Sequence, residues 1–371
     1  MMDRLENAAR IVVKTGSALI ADADGQPRHD WLRRLAVDIA KWRSKGREVV
    51  LVSSGAIALG KSRLPKAALR RLDGKQAAAA LGQPLLMGAL SSAFDSVDIP
   101  IAQTLLTLED TERRRRWLNA RATLAVLLKA GTLPVINEND TVATEEIRYG
   151  DNDRLAARVA QMISADLLIL LSDVDGLYTA DPHIDDAAEH IAALDDITPE
   201  IEAMGGGTGA SGVGSGGMET KIAAAKIAHT AGCATVITRG NREAPLSALE
   251  QGARATWITP AISPGTARRT WLQGHLTPEG SITVDDGAAA ALKNGASLLP
   301  VGIAGVEGNF ERGSAVAIKS TKGIIIAKGV AAYSASDARR IAGKQTADVE
   351  AVLGTAHRPA VVHRDDLVLE N

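Results

Sequence analysis

Short apolar runs recur through the first two-thirds of the chain, and each stops abruptly at small or polar residues. They are Arg10 to Val13, Glu48 to Val52, Ile99 to Leu106, Leu133 to Ile136, Asp166 to Leu171 and Ala234 to Thr238. Helical patterns lie between them. One carries Trp31, Leu35 and Ile39 on one face, with Asp30 as its expected N-cap and Gly46 as its stop. An Ala-rich pattern runs from Lys75 to Leu90, where Pro84 is expected to interrupt or restart the helix. Others span Trp117 to Ala130, Arg154 to Ile163 and Met218 to Thr230. Strands alternating with helices over this length specify an α/β fold with a parallel, doubly wound sheet. In such sheets ligands bind outside the carboxyl ends of the strands.

A chain of 371 residues exceeds one typical core, so two domains are expected. Aromatic residues make up only 3% against 46% hydrophobic, so the cores must rest on Ala, Val, Ile and Leu. A net charge of -2 gives no global electrostatic case for nucleic acid or membrane binding. The lone Cys233 excludes an intrachain disulfide framework and a Cys-rich zinc site, and reads as a small buried hydrophobe. No apolar run is read as approaching a membrane span, and the charged N-terminus lacks a signal-peptide core. The expectation is a soluble cytoplasmic protein.

The α/β pattern breaks between about Ala255 and Gly274, where Pro260, Pro264 and Gly265 fall. Beyond the break, strand-like runs recur at close spacing: Gly280 to Val284, Ala315 to Lys319, Ile324 to Ala327 and Ala360 to His363. The expected division is an α/β domain at 1–260, a linker at 261–274 and a small, mostly β domain at 275–371. Basic and acidic residues balance in that tail, which argues against an RNA-binding surface.

The polar clusters at the strand ends carry the functional signal. Leu133 to Ile136 ends in Asn137-Glu138-Asn139-Asp140, and Gly150-Asp151-Asn152-Asp153 opens the next helix. One such cluster reads as a turn or cap; two, with more acids than caps need, point to a site. Lys14, followed by Thr15-Gly16-Ser17, reads in isolation as a solvated lysine. Ser53-Ser54-Gly55-Ala56 repeats the strand-then-glycine layout, which lets backbone N–H groups approach an anion. Residues 205–217 hold eight glycines in thirteen positions and feed a helix with Lys221 in its first turn. Linker and phosphate-loop readings stand level there; Lys14 and the strand-end clusters tip the reading to phosphate. Neither a Walker A nor a dinucleotide-binding motif is present. The arginine run Arg113 to Arg116 reads as a solvated helix start, with Glu109–Arg113, Asp110–Arg114 and Glu112–Arg116 at favourable i,i+4 spacing.

These stretches, with Val52 to Ala58, PVINEND at 134–140, GDND at 150–153 and GGMETK at 216–221, resemble the glutamate 5-kinases, a branch of the amino-acid kinase family. The tail, with GSITVDDGA at 280–288 and HRDD at 363–366, resembles the PUA domain that follows the kinase domain in bacterial members. The resemblance implies a three-layer αβα sandwich around a largely parallel sheet, plus a PUA domain. It implies ATP-dependent phosphorylation of the glutamate side-chain carboxylate, the first step toward proline. Lys14 and Lys221 would contact the transferring phosphoryl group, with Asp153 orienting both. Ser54, Gly55, Asn137, Asp140, Asp151 and Asn152 would form the glutamate site. Ser172 and Asp173, with Ser215, Gly216, Gly217, Met218, Glu219, Thr220 and Lys221, would hold ATP. Also implied are Mg²⁺ carried mainly by ATP, feedback inhibition by proline near Glu146, delivery of the acyl phosphate to a glutamyl phosphate reductase (glutamate-5-semialdehyde dehydrogenase), and a homodimer or homotetramer. Three departures stand out: Ser172 where Thr is common, Glu219 where a small residue is common, and SRLPKAALRRLDG after Lys61. Glu219 is expected to point away from phosphate.

The chemistry agrees with the residue inventory. A carboxylate nucleophile, with an ordinary pKa of about 4.3, needs no general base at neutral pH. The reaction requires alignment of two anions and neutralisation of charge on the phosphoryl group. Lysines and backbone N–H groups supply both.

Overall fold

The computed structural model describes residues 2–143, 151–180, 182, 184–205, 217–275, 277–354 and 359–370. It divides into two compact units, Met1–Pro264 and Gly265–Asn371.

The first unit is built on strands β1 (Arg10–Thr15), β2 (Glu48–Ser53), β3 (Ile101–Leu106), β4 (Leu133–Glu138), β5 (Leu167–Ser172), β6 (Leu177–Tyr178), β7 (His190–Ile191), β8 (Ala193–Leu194), β9 (Ala234–Arg239) and β10 (Ala255–Ile258). Eight of them form one sheet in the order β3-β4-β2-β1-β5-β9-β10-β8, and β6 pairs with β7 separately. All described pairings from β3 through β9 are parallel; β10 runs antiparallel to β9. The sheet is thus largely parallel, as the alternating pattern predicts.

Pleating explains why the strands are continuously apolar. Ile11 and Val13 of β1, Val49 and Leu51 of β2, and Leu167, Ile169 and Leu171 of β5 enter one core. That core includes Leu32, Leu35, Ile39 and Trp42 of the helix His29–Ser44, and Leu86, Leu90 and Phe94 of the helix Leu72–Asp95. The intervening Val12, Val50, Val52, Leu168 and Leu170 enter a second core with the helices Arg114–Lys129, Asp151–Ile163 and Met218–Thr230. A strand covered on both faces has no polar side to alternate with. Two helical layers flank one sheet, giving the αβα sandwich.

Several local expectations are corrected. The helix His29–Ser44 starts one residue before Asp30, with no side-chain cap from Arg28; Asp30 sits in the first turn and pairs with Arg33 at 3.2 Å. Pro84 lies inside an uninterrupted helix, Leu72–Asp95. That helix is also long and apolar enough to cross a membrane, contrary to the expectation that no run reaches that length. Its packing makes it a core helix. The backbone breaks helical geometry at Arg113 (φ -77°, ψ 111°), separating the helices Leu108–Glu112 and Arg114–Lys129. Asp110 therefore forms a capping box with Thr107 and takes Arg116 at 2.8 Å, while the expected Glu109–Arg113 pair is present.

The second unit carries a five-stranded sheet, in the order β12-β11-β13-β14-β15. Its strands are β11 (Gly280–Val284), β12 (Ile303–Gly308), β13 (Ala315–Ser320), β14 (Ile325–Ala331) and β15 (Val362–Leu369). Its own core includes Ile282, Phe310, Val316, Ile318 and Val361. Edge strand β12 escapes a sequence reading because Gly305, Glu307 and Gly308 dilute its pattern. The segment expected as a linker carries a helix, Pro264–His275.

One close approach positions the site. A Cβ on Gly82 would lie 1.7 Å from the Ala56 carbonyl oxygen, and one on Gly60 would lie 2.0 Å from the Ala78 oxygen. The short helix Ala56–Gly60 and the helix Leu72–Asp95 therefore touch backbone to backbone. Gly82→Ala is expected to cost at least about 1–3 kcal/mol by overpacking. Gly88→Ala, on the same helix with nothing within 4 Å of its Cβ position, is expected to gain roughly 0.5–1 kcal/mol. Thermal denaturation of the two variants checks the contrast.

Candidate active site

Lys14 follows Val13 by one residue, so it takes the side of the sheet that Val12 faces. The helices Asp151–Ile163 and Met218–Thr230 cover that side. Each contributes a first-turn residue. Asp153, fully buried, places Oδ1 2.5 Å from Lys14 Nζ and Oδ2 3.4 Å from Lys221 Nζ. Lys14 and Lys221 are each only 6% exposed. The Thr220 hydroxyl lies 3.0 Å from Asp153 Oδ2 and 2.9 Å from the Gly217 carbonyl oxygen; its single proton serves one of them at a time.

Burial alone would push the Asp153 carboxyl up. The ammonium groups of Lys14 and Lys221, with the Lys14 and Thr220 hydrogen bonds, reverse that and hold it below the ordinary carboxylate range. Burial pushes Lys14 down from the ordinary lysine value, and Lys221 adds to the effect, while Asp153 opposes it. The two shifts pull the ion pair in opposite senses. The 2.5 Å contact favours the ionised pair, because neutralising Lys14 would leave Asp153 short of one cation. Two ammonium groups and one carboxylate leave net positive charge between two helix N-termini, an arrangement suited to a polyanion.

A second constellation runs over the carboxyl edge of the sheet. Asn152 Nδ2 donates to Ser54 Oγ at 2.9 Å and to Asn137 Oδ1 at 3.1 Å. Asn137 Nδ2 donates in turn to Gln83 Oε1 at 2.9 Å. Asn152 Oδ1 and Gln83 Nε2 are buried and have no hydrogen-bond partner among the described residues. Unsatisfied buried groups cost about 1–3 kcal/mol each, so the Asn152 oxygen in such a site is an acceptor position for a ligand. Asp140, just beyond β4, is buried. Gly55 makes the turn out of β2 at φ 108°, a left-handed conformation glycine tolerates.

At the end of β5, buried Ser172 donates to Asp173 Oδ1 at 2.9 Å, and Asp173 is exposed. Gly217 stands at the N-cap of the helix Met218–Thr230 with no side-chain cap, leaving first-turn N–H groups for a ligand. Glu219 is exposed there. Ser215, Gly216 and Glu146 lie outside the described residues, as does the side chain of Asp151. The described predicted residues thus gather at the carboxyl ends of β4, β2, β1 and β5, four neighbouring strands. Gln83 was missed. Its only signal was a pair of glutamines, Gln76 and Gln83, seven apart in an Ala-rich helix. Cys233 is buried, which pushes its thiol pKa up, in keeping with a core role.

The model of the amino acid kinase family matches residues 9–239, and that of the PUA domain matches residues 280–353. The chain is 57% identical to a glutamate 5-kinase of Sinorhizobium fredii over 367 residues, covering 98% of this chain and 93% of that protein. It is 56% identical to glutamate 5-kinase 1 of Rhizobium meliloti over the same shares. It is 53% identical to the glutamate 5-kinase of Paramagnetospirillum magneticum over the full length of both.

Asp153→Asn leaves two buried ammonium groups without a counter-charge. The expected loss at neutral pH is about 3–5 kcal/mol of stability, read from denaturant midpoints. Asp153, with its folded pKa depressed, contributes stability above its unfolded pKa and loses it as pH falls through the lower folded value. In the variant the cost falls as pH rises toward the ordinary lysine value, because a neutral Lys14 then becomes cheaper to form. The gap to the unsubstituted protein therefore narrows on the alkaline side.

Proposed function

The chain belongs to the amino acid kinase family, and we propose that it transfers the γ-phosphoryl group of ATP to the side-chain carboxylate of L-glutamate. The observation that carries this reading is the Lys14–Asp153–Lys221 cluster beside the Ser54–Asn152–Asn137 chain. A charge-neutralising centre and an amide-lined amino-acid site share one sheet edge.

In this reaction a γ-carboxylate oxygen attacks the γ-phosphorus, and the bond to the β,γ-bridging oxygen breaks. The products are ADP and glutamyl 5-phosphate, an acyl phosphate. Lys14 and Lys221 stabilise the charge that spreads over the phosphoryl oxygens. Asp153 binds no substrate in this account; it holds both lysines in place. Ser54, Gly55, Asn137, Asp140, Asp151 and Asn152 form the glutamate site. Buried Asp140 and the free Asn152 Oδ1 are acceptors that suit the α-ammonium. Ser172, Asp173 and the 215–221 segment hold ATP, with backbone N–H groups at Gly217 and beyond facing phosphate.

Mg²⁺ fits this site as a passenger of ATP. Asp153 is committed to the lysines, and the described residues contain no group of three or more His, Cys, Asp and Glu that would hold the ion. Mg²⁺ keeps waters and phosphate oxygens as ligands; when bound, it supplies further neutralisation of phosphate charge. Exposed Asp173, in the set that holds ATP, would be a carboxylate able to reach the ion through water.

The resemblance supports further parts of the reading. The kinase chemistry belongs to residues 1–260 and the PUA domain to 275–371. The product passes to a glutamyl phosphate reductase in a cytoplasmic route to proline. Proline inhibits near Glu146, and the enzyme assembles as a homodimer or homotetramer.

The test is ATP turnover with Mg²⁺ and L-glutamate in hydroxylamine, scored as glutamyl hydroxamate. Hydroxamate with glutamate, and none with aspartate or acetylglutamate, is the expected result; product only with another acid overturns the substrate assignment. Lys14→Ala and Lys221→Ala are each expected to lower kcat by about 10²–10³-fold. Asn152→Ala and Asp140→Ala are expected mainly to raise the KM for glutamate, and an unchanged KM in both removes the pocket assignment.

A further inference from the structure

Side-chain amides are symmetrical in shape, and only their hydrogen-bond partners decide which end is oxygen. In the chain Gln83–Asn137–Asn152 that choice is forced. The backbone N–H of Glu138 donates to Asn137 Oδ1 at 2.9 Å, and a backbone N–H cannot act as an acceptor. That end of Asn137 must therefore be oxygen. Its other end must be the NH₂ group, which needs an acceptor and finds Gln83 Oε1. The Asn152 end that meets Asn137 Oδ1 must be a donor, so Asn152 Oδ1 is the end left without a partner. One backbone N–H thus sets the polarity of three amides in series.

The chain also joins the two layers. Gln83 belongs to the helix Leu72–Asp95 on one face of the sheet, and Asn152 to the helix Asp151–Ile163 on the other. Gln76, two turns before Gln83, donates to the Ala143 carbonyl oxygen at 3.0 Å. The same helix therefore grips β4 at 137 and the segment after it at 143. Gly82, beside Gln83, fixes how closely that helix approaches the Ser54 turn. Asn137 is held by Glu138 N–H on one end and Gln83 on the other. Without Gln83 the Asn137 NH₂ group loses its acceptor and the amide keeps only the Glu138 N–H as an anchor, so its oxygen is no longer held in place to receive Asn152.

We propose that Gln83 is a positioning residue for substrate selectivity: by accepting from Asn137 Nδ2 it holds the Asn137 oxygen where Asn152 donates to it, so that Asn152 keeps its own oxygen toward the substrate and the site selects an acid bearing an α-ammonium group over a plain dicarboxylate. This rests on the glutamate reading above. A reversed Asn152 amide would present N–H donors to the α-ammonium and lose the discrimination. Gln83 touches neither ATP nor the Lys14–Asp153–Lys221 cluster in this account, so its effect falls on the amino-acid side.

The experiment compares the KM of L-glutamate with the inhibition constant of glutarate, which lacks the α-ammonium, in the full-length protein and two variants. Gln83→Met removes the acceptor at similar volume; Gln83→Glu keeps an acceptor for Asn137. In Gln83→Met the glutamate KM is expected to rise about 10–100-fold, the scale of one charge-assisted hydrogen bond. The preference over glutarate falls by a similar factor, and the KM for ATP changes less than about twofold. Gln83→Glu is expected to retain the preference. An intact preference in Gln83→Met, or equal loss in both variants, overturns the proposal. Should the variants fail to fold by thermal denaturation, hydrogen exchange of the Asn137 side-chain amide in the unsubstituted protein decides: protection supports the lock, and exchange at the free-amide rate overturns it. Absence of any glutamyl hydroxamate from the unsubstituted protein is a different failure, that of the glutamate reading itself.

Discussion

One buried carboxylate shared by two lysines is the constraint on which the site depends. Charges leave water only when paired and hydrogen-bonded. Lys14, Lys221 and Asp153 meet that condition together, the one carboxylate serving both cations. Asp153 with a single lysine would lose the second positive centre. The lysines without Asp153 would repel each other in a low-dielectric site. The residual positive charge is what a phosphoryl transfer to an already ionised carboxylate requires, since that reaction asks for alignment and charge neutralisation and not for a proton acceptor.

The sheet delivers this cluster through its pleat. Val12 and Lys14 share a face of β1, so the helices that cover Val12 also cap Lys14. Ser54 leaves β2, Asn137 ends β4 and Ser172 ends β5, and parallel pairing brings these ends to one edge. The amide chain crosses that edge and ties a helix of one layer to a helix of the other. Positions that look like independent polar clusters along the chain become one site because the strands between them are buried on both faces and run the same way.

Much of this was legible in the sequence, for a physical reason. Continuous apolar runs ending in Gly, Ser, Asn or Asp report strand ends directly, so β1, β2, β4, β5 and β9 could be placed to within a residue or two. The helix Met218–Thr230 could be read without error. What escaped depended on tertiary contact. Asp30 looked like a cap, but the helix gained an extra residue before it. Pro84 looked like a break, yet the helix packed against Ala56–Gly60 carries through it. The i,i+4 reading of the arginine run assumed an unbroken helix, and the backbone turns at Arg113. Gln83 carried no motif, because its role comes from meeting Asn137, 54 positions away.

A titration of the Lys14 side-chain nitrogen by NMR, in the unsubstituted protein and in Asp153→Asn, tests the shared-carboxylate account most directly. Lys14 is expected to lose its proton below the ordinary lysine value, and removing the Asp153 charge is expected to move it lower still. A Lys14 that titrates at the ordinary value and does not respond to Asp153→Asn would contradict it.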